Sequence, residues 1–255
     1  KVQNRQSEYP TKEKEICFSK RINYLWPMQQ DLHLAGLIIS EPTTFLTNLL
    51  LAVTGIYLGS RFLSGRHAGP EFIRQYGLFL MLTGISALWG GVFSHGLKVY
   101  FAVEYSIPGW ITAFVAAYYM AGGAISHLQY CNLAPFDNDI VVRRIKMVNL
   151  LILLSVIIFI FIKPHFIVVA VNAAIALVAA GLFCEWIAYK NTGDKGSFLF
   201  LVAVTISILT ILLFLFKINA EPWFNTNDLS HLVMIGCMFI FAKGFEQMKI
   251  NIVSA

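Results

Sequence analysis

Apolar residues run along this chain in seven long stretches separated by short polar breaks. The stretches extend from about Pro42 to Leu58, Tyr76 to Gly96, Pro108 to Leu128, Met147 to Ile162, Pro164 to Tyr189, Phe198 to Phe216 and Leu229 to Lys249, the last losing its apolar character near Ala242. Most reach the roughly 20 residues a helix needs to cross the hydrocarbon core of a bilayer. Lys163-Pro164 separates the fourth stretch from the fifth, and proline there marks a helix start. The pattern predicts an all-α, seven-helix transmembrane bundle over residues 40–250, with an extramembrane tail at 1–39 and a short C-terminal end at 251–255. Within the tail, Tyr24 to Ile39 turns apolar and carries Trp26, which predicts a segment lying along the membrane interface.

Composition agrees with the pattern. Charged residues make up 13% of the chain and hydrophobic ones 57%, against about 25% charged in a soluble domain. The net charge of +5 comes from basic residues scattered among loops, so it carries topology rather than a nucleic-acid surface. Cys17, Cys131, Cys184 and Cys237 are far apart and form no C-x-x-C pair; the two inside apolar stretches read as core residues. The chain begins at Lys1, which leaves room for a cleaved leader. No phosphate-cradling glycine loop and no nucleophile-elbow motif is present.

Basic residues also orient the bundle. Arg61, Arg66, Arg74, Arg143, Arg144, Lys146, Lys190, Lys195, Lys243 and Lys249 fall on one side, against Lys98, Lys163 and Lys217 on the other. The positive-inside rule then predicts the N-terminus outside and the C-terminus in the cytoplasm. The basic residues of the tail oppose this trend, but they lie about twenty residues from the first helix, at the limit of the rule's range.

With that orientation the costly polar residues sort by depth. Glu41, Asn48, Ser94, His95, His165, Asp228, Ser230 and His231 fall in one outer layer, and His127 and Glu185 at the inner end. Glu41, Thr44 and Asn48 share a helical face, as do Asp228 and His231. Ionisable residues within membrane segments indicate function by default. Histidines with carboxylates can hold zinc through imidazole nitrogen and carboxylate oxygen, zinc can lower the pKa of a water, and a nearby carboxylate can take its proton. The candidate metal ligands are therefore His95, His231 and Asp228, with Asp228 and Ser94 as catalytic candidates. The alternatives are structural: Asp228 as a helix cap, Glu41 and Asn48 as a polar pair locking helix 1 to a neighbour, Lys98 as a partner for Glu41 or Glu104, His165 as a turn residue, and His127 and Glu185 as inner-end structural groups.

Glu41-Pro-Thr-Thr-Phe-Leu-Thr47-Asn48 resembles the helix 1 signature of alkaline ceramidases. Those enzymes belong to a superfamily of seven-helix membrane hydrolases that also holds the adiponectin and progestin receptors. The resemblance implies a seven-helix fold with the N-terminus outside and zinc-dependent hydrolysis of a lipid amide or ester. The family pattern has Ser-x-x-x-His on helix 2, a further acidic residue, and His-x-x-x-His on helix 7. His95 and His231 match histidines of that pattern. Gly91 stands at the serine position, Asn227 at the other helix 7 histidine, and Glu104 is a loose match for the acid. By the same resemblance Glu41 and Asn48 belong to a second polar or calcium site, with Asp31 a further candidate. Two functions follow as expectations. One is a metal-dependent hydrolase of membrane lipids. The other is a non-enzymatic membrane subunit or receptor, associated with other membrane subunits, whose metal site is degenerate. A transporter ranks third, since no paired repeat of broken helices is evident.

Overall fold

A computed structural model describes residues 31–64, 69–216 and 224–253. Tyr24, Trp26 and the tail's basic residues, with Arg66, Lys217 and Trp223, lie outside these.

Each apolar stretch forms a helix: α1 Pro42–Leu63, α2 Glu71–Gly96, α3 Ile107–Tyr130, α4 Asp139–Ile162, α5 Phe166–Thr192, α6 Lys195–Phe216 and α7 Thr226–Val253. Six of them, all but α6, are long and apolar enough to cross a membrane; α6 holds a shorter apolar stretch, Lys195–Ile208. The helices outrun several predicted starts. α2 begins at Glu71 and α4 at Asp139, where Asn138 caps the new helix by accepting from the N–H groups of Ile140 and Val141. Apolar length measures the membrane core, whereas caps set the ends, and these lie in the polar boundary.

The segment expected along the interface forms, over its described part, a hairpin. β1 Leu32–Leu34 pairs antiparallel with β2 Leu37–Ile39, Leu32 opposite Ile39. Ala35 and Gly36, both with positive φ, make its two-residue turn, as the twist of a short hairpin requires. The hairpin is tied to the end of α2 through Ser40 N–H to Gly96 C=O at 2.9 Å, and to Tyr100, whose hydroxyl accepts from Ile38 N–H.

α1 packs on α2, α2 on α3, α6 on α7, and α7 closes back on α1. α3 is the most enclosed, with 67% of its apolar window buried, whereas α4 is outermost with 6%. The α1/α2 contact is built on glycines. A Cβ on Gly59 would stand 2.5 Å from Met81 N, and one on Gly55 2.7 Å from Leu80 C=O. Helices that gain little from apolar burial in lipid associate through such close backbone approach. This contact brings Glu41 and His95, at facing ends of α1 and α2, to the same end of the bundle.

Candidate functional site

Glu41 precedes α1 with a left-handed backbone (φ 46°), which turns its side chain toward the end of α2. There the last turn of α2 widens into a π-helix over Gly90–Gly96. One-turn π segments shift the register of the residues after them and often sit at functional sites. His95 lies on this turn, and its Nδ1 meets Glu41 Oε2 at 2.6 Å. Lys98 Nζ donates to the other carboxyl oxygen of Glu41, the pairing expected as one alternative from the sequence. Burial pushes the Glu41 carboxyl up, but the hydrogen bonds and charges of His95 and Lys98 outweigh it and hold the pKa at about 2, below the usual 4.5. The Glu41 and His95 side chains are 20% and 24% exposed and Lys98 42%, so the cluster is reachable from the surface.

α7 supplies the second half. Asn225 and Asp228 form a reciprocal capping box. Asn225 Oδ1 accepts from the N–H groups of Asn227 and Asp228, and Asp228 Oδ2 accepts from Asn225 N–H at 2.7 Å. Asp228 is fully buried, and its Oδ1 also accepts from the Thr44 hydroxyl at 2.7 Å. The capping alternative for Asp228 is therefore the arrangement present, reinforced by a bond to α1. One turn on, His231 Nδ1 lies 3.1 Å from Thr47 Oγ1. The His95 and His231 rings face each other edge to face, with centroids 6.3 Å apart.

The hydrogen bonds assign the tautomers. The Thr47 hydroxyl has one proton and a 3.1 Å contact to Thr44 C=O, to which it donates. Toward His231 it accepts, so Nδ1 carries the proton. The Glu41 carboxylate only accepts, so His95 Nδ1 also carries one. With Nδ1 engaged in each ring, Nε2 is the atom of His95 and of His231 left for a ligand, the second-shell pattern of metal-binding histidines.

Other candidates are engaged elsewhere. Ser94 Oγ pairs with Ser106 Oγ at 2.8 Å. Asn48 Nδ2 donates to Thr44 C=O within α1, and a Cβ on Gly91 would stand 2.8 Å from Asn48 Cβ, so a serine at position 91 would collide with α1. His165 caps α5 by accepting from Ile167 N–H. Asp31 is exposed ahead of β1, and Glu104 sits in an exposed 3-10 turn before α3.

The donor set fits a metal only in part. Among the described residues no three His, Cys, Asp or Glu side chains form a metal-holding group. Two imidazole nitrogens suit zinc, but a catalytic zinc centre usually has three protein ligands. Calcium takes six to eight oxygens, whereas Glu41 faces the nitrogens of His95 and Lys98, so calcium does not fit.

The opposite end of the bundle holds a second polar cluster, larger than His127 and Glu185 alone. The fully buried Glu185 of α5 accepts from Tyr76 of α2, from Ser197 of α6 at 2.6 Å, and from His127 of α3 at 3.1 Å. Phe72 stacks on His127 and Phe245 on Tyr76. Tyr76 and Ser197 went unmarked in the sequence because hydroxyls inside apolar helices carry little penalty signal. Asn225 was also missed, although Asn-x-x-Asp at a helix start could have shown it.

The fold and the end cluster together define the chain as consistent with a multi-pass helical membrane protein with polar groups gathered at both ends of its bundle. It belongs to the family of unknown function DUF6962, whose model matches residues 43–250, from the start of α1 into α7. No curated protein matches the sequence.

Proposed function

We propose that the chain is a non-enzymatic membrane subunit or receptor, with its N-terminus outside, that retains a two-histidine half-site at its outer end. The observation that carries this reading is the capping box at Asn225 and Asp228. The carboxylate best placed by sequence to complete a metal centre is fully buried and bonded to the backbone of Asn225 and the hydroxyl of Thr44. The tight contact of Gly91 with Asn48 supports it, since the serine of the ceramidase-like pattern has no room there.

A second reading is favoured by the tautomers of His95 and His231. Their available Nε2 atoms suit zinc, with the remaining positions open to a lipid amide or ester and a water. Zinc would supply carbonyl polarisation and water activation; Glu41 and Thr47 would orient the two imidazoles.

The test uses the full chain in lipid nanodiscs, with zinc content by mass spectrometry and turnover of ceramide and monoacylglycerol. The first reading expects no turnover above an empty nanodisc, unchanged by His95→Ala or His231→Ala. One zinc per chain together with turnover abolished by either substitution would overturn it and establish the hydrolase.

A further inference from the structure

A cavity of about 320 Å³ lies between α3, α4 and α5, within the size range of small-molecule sites. It is separate from the histidine end. Its wall runs from Phe114 to Ile125 along α3 and from Asn172 to Cys184 along α5, roughly 17 Å at 1.5 Å per residue. The lining is almost wholly apolar. α4 packs on α3 and scarcely touches α5, and the lining residues Val148, Ile152 and Ile175 are also exposed on the outer surface of the helices. The cavity therefore opens sideways, toward where lipid chains would lie.

Three polar side chains, Tyr118, Asn149 and Asn172, interrupt the apolar lining, and Asn172 is the deepest in need of a partner. Asn172 is 9% exposed, lines the cavity, and its side-chain amide has no hydrogen-bond partner among the described residues. The other asparagine of the lining, Asn149, donates to Tyr118 C=O at 3.0 Å. An amide that faces an apolar cavity without a protein partner is costly. A ligand offering both a donor and an acceptor would remove that cost. Immediately after this turn α5 widens into a π-helix over Ala176–Leu182, which supplies Ala176 and Ala179 to the lining. The two small side chains leave space on the wall beside Asn172.

We propose that this cavity binds a neutral, single-chain amphiphile, with its hydrocarbon along α3 and α5 and its hydroxyl on the Asn172 amide. Length favours one extended chain. Neutrality follows from the lining, which offers no charged side chain to a headgroup that would have to leave water. The proposal does not depend on the function assigned to His95 and His231.

The test is photolabelling of the full chain in nanodiscs with a sixteen-carbon alcohol carrying a diazirine in its chain, beside the matching alkane without the hydroxyl. The alcohol is expected to label peptides of α3 and α5, with excess unlabelled hexadecanol competing. Asn172→Leu should weaken alcohol labelling roughly tenfold, the value of one hydrogen bond, and leave alkane labelling unchanged. Ala121→Phe, which fills the cavity, should abolish both at this site. Because either substitution can perturb folding, each is read only beside a thermal melt matching wild type; Ala179→Phe replaces Ala121→Phe if the latter melts early. Equal labelling by alcohol and alkane in the wild-type chain, insensitive to hexadecanol, would overturn the proposal and leave only bulk lipid tails against the groove.

Discussion

Replacing Glu185 by alanine isolates what the buried cluster contributes. The carboxyl group accepts from Tyr76, Ser197 and His127, which lie on α2, α6 and α3. Glu185→Ala leaves three donors without an acceptor where Glu185 and Ser197 are fully buried and the His127 side chain is 5% exposed. Breaking a buried, hydrogen-bonded ionic group by removing one partner costs about 3–5 kcal/mol. At 2–4 °C per kcal/mol for a chain of this size, the melting temperature falls by roughly 6–20 °C. Tyr76→Phe removes one donor and keeps the stacked ring on Phe245, so it costs only about 1–3 kcal/mol. The assay is thermal unfolding in mild detergent followed with a thiol-reactive dye, since Cys184 and Cys237 are buried and free. Wild type, Tyr76→Phe and Glu185→Ala should melt in that descending order. A Glu185→Ala protein that melts with wild type would refute the view that this cluster ties four helices together.

Three further outcomes follow from the geometry. Gly59→Ala forces a Cβ to 2.5 Å from Met81 N and should cost about 1–3 kcal/mol by overpacking, while Gly236→Ala, which meets nothing within 4 Å, should leave the melt unchanged or slightly raised; equal losses would show that the α1/α2 glycine contact is not the cause. Asp228→Ala removes both the cap on Asn225 N–H and the acceptor of Thr44 and should cost about 2 kcal/mol, read by thermal melt, whereas a role confined to metal binding would leave metal-free protein as stable as wild type. Gly91→Ser should destabilise through the 2.8 Å contact with Asn48 Cβ, and Asn48→Gly, which removes that atom, should recover part of that loss in the double mutant, a coupling of about 0.5–3 kcal/mol; strictly additive melts would mean the two positions do not meet.

What could be read from the chain and what could not divide along a physical line. Apolar length is a one-dimensional property, so all seven helices were visible, and the main differences are ends such as the start of α4, which its cap Asn138 sets further out. The polar residues Glu41, His95 and His231 stood out because charge is expensive in a membrane segment, and sorting them by depth brought together residues that the structure holds near one another. The partnerships were less legible. Asp228 and His231 share a helical face and looked like one half-site, yet they bond to Thr44 and Thr47 on another helix and serve different ends. Threonine, serine and tyrosine give no warning in a hydropathy pattern, since a hydroxyl can bond its own helix's carbonyls at little cost. They become informative only when a second helix brings an acceptor. Asn172 is the converse case: it sits in the most apolar part of α5, where the run of hydrophobic neighbours hid it, and its partnerless amide becomes visible only once the wall opposite it is known to be empty space.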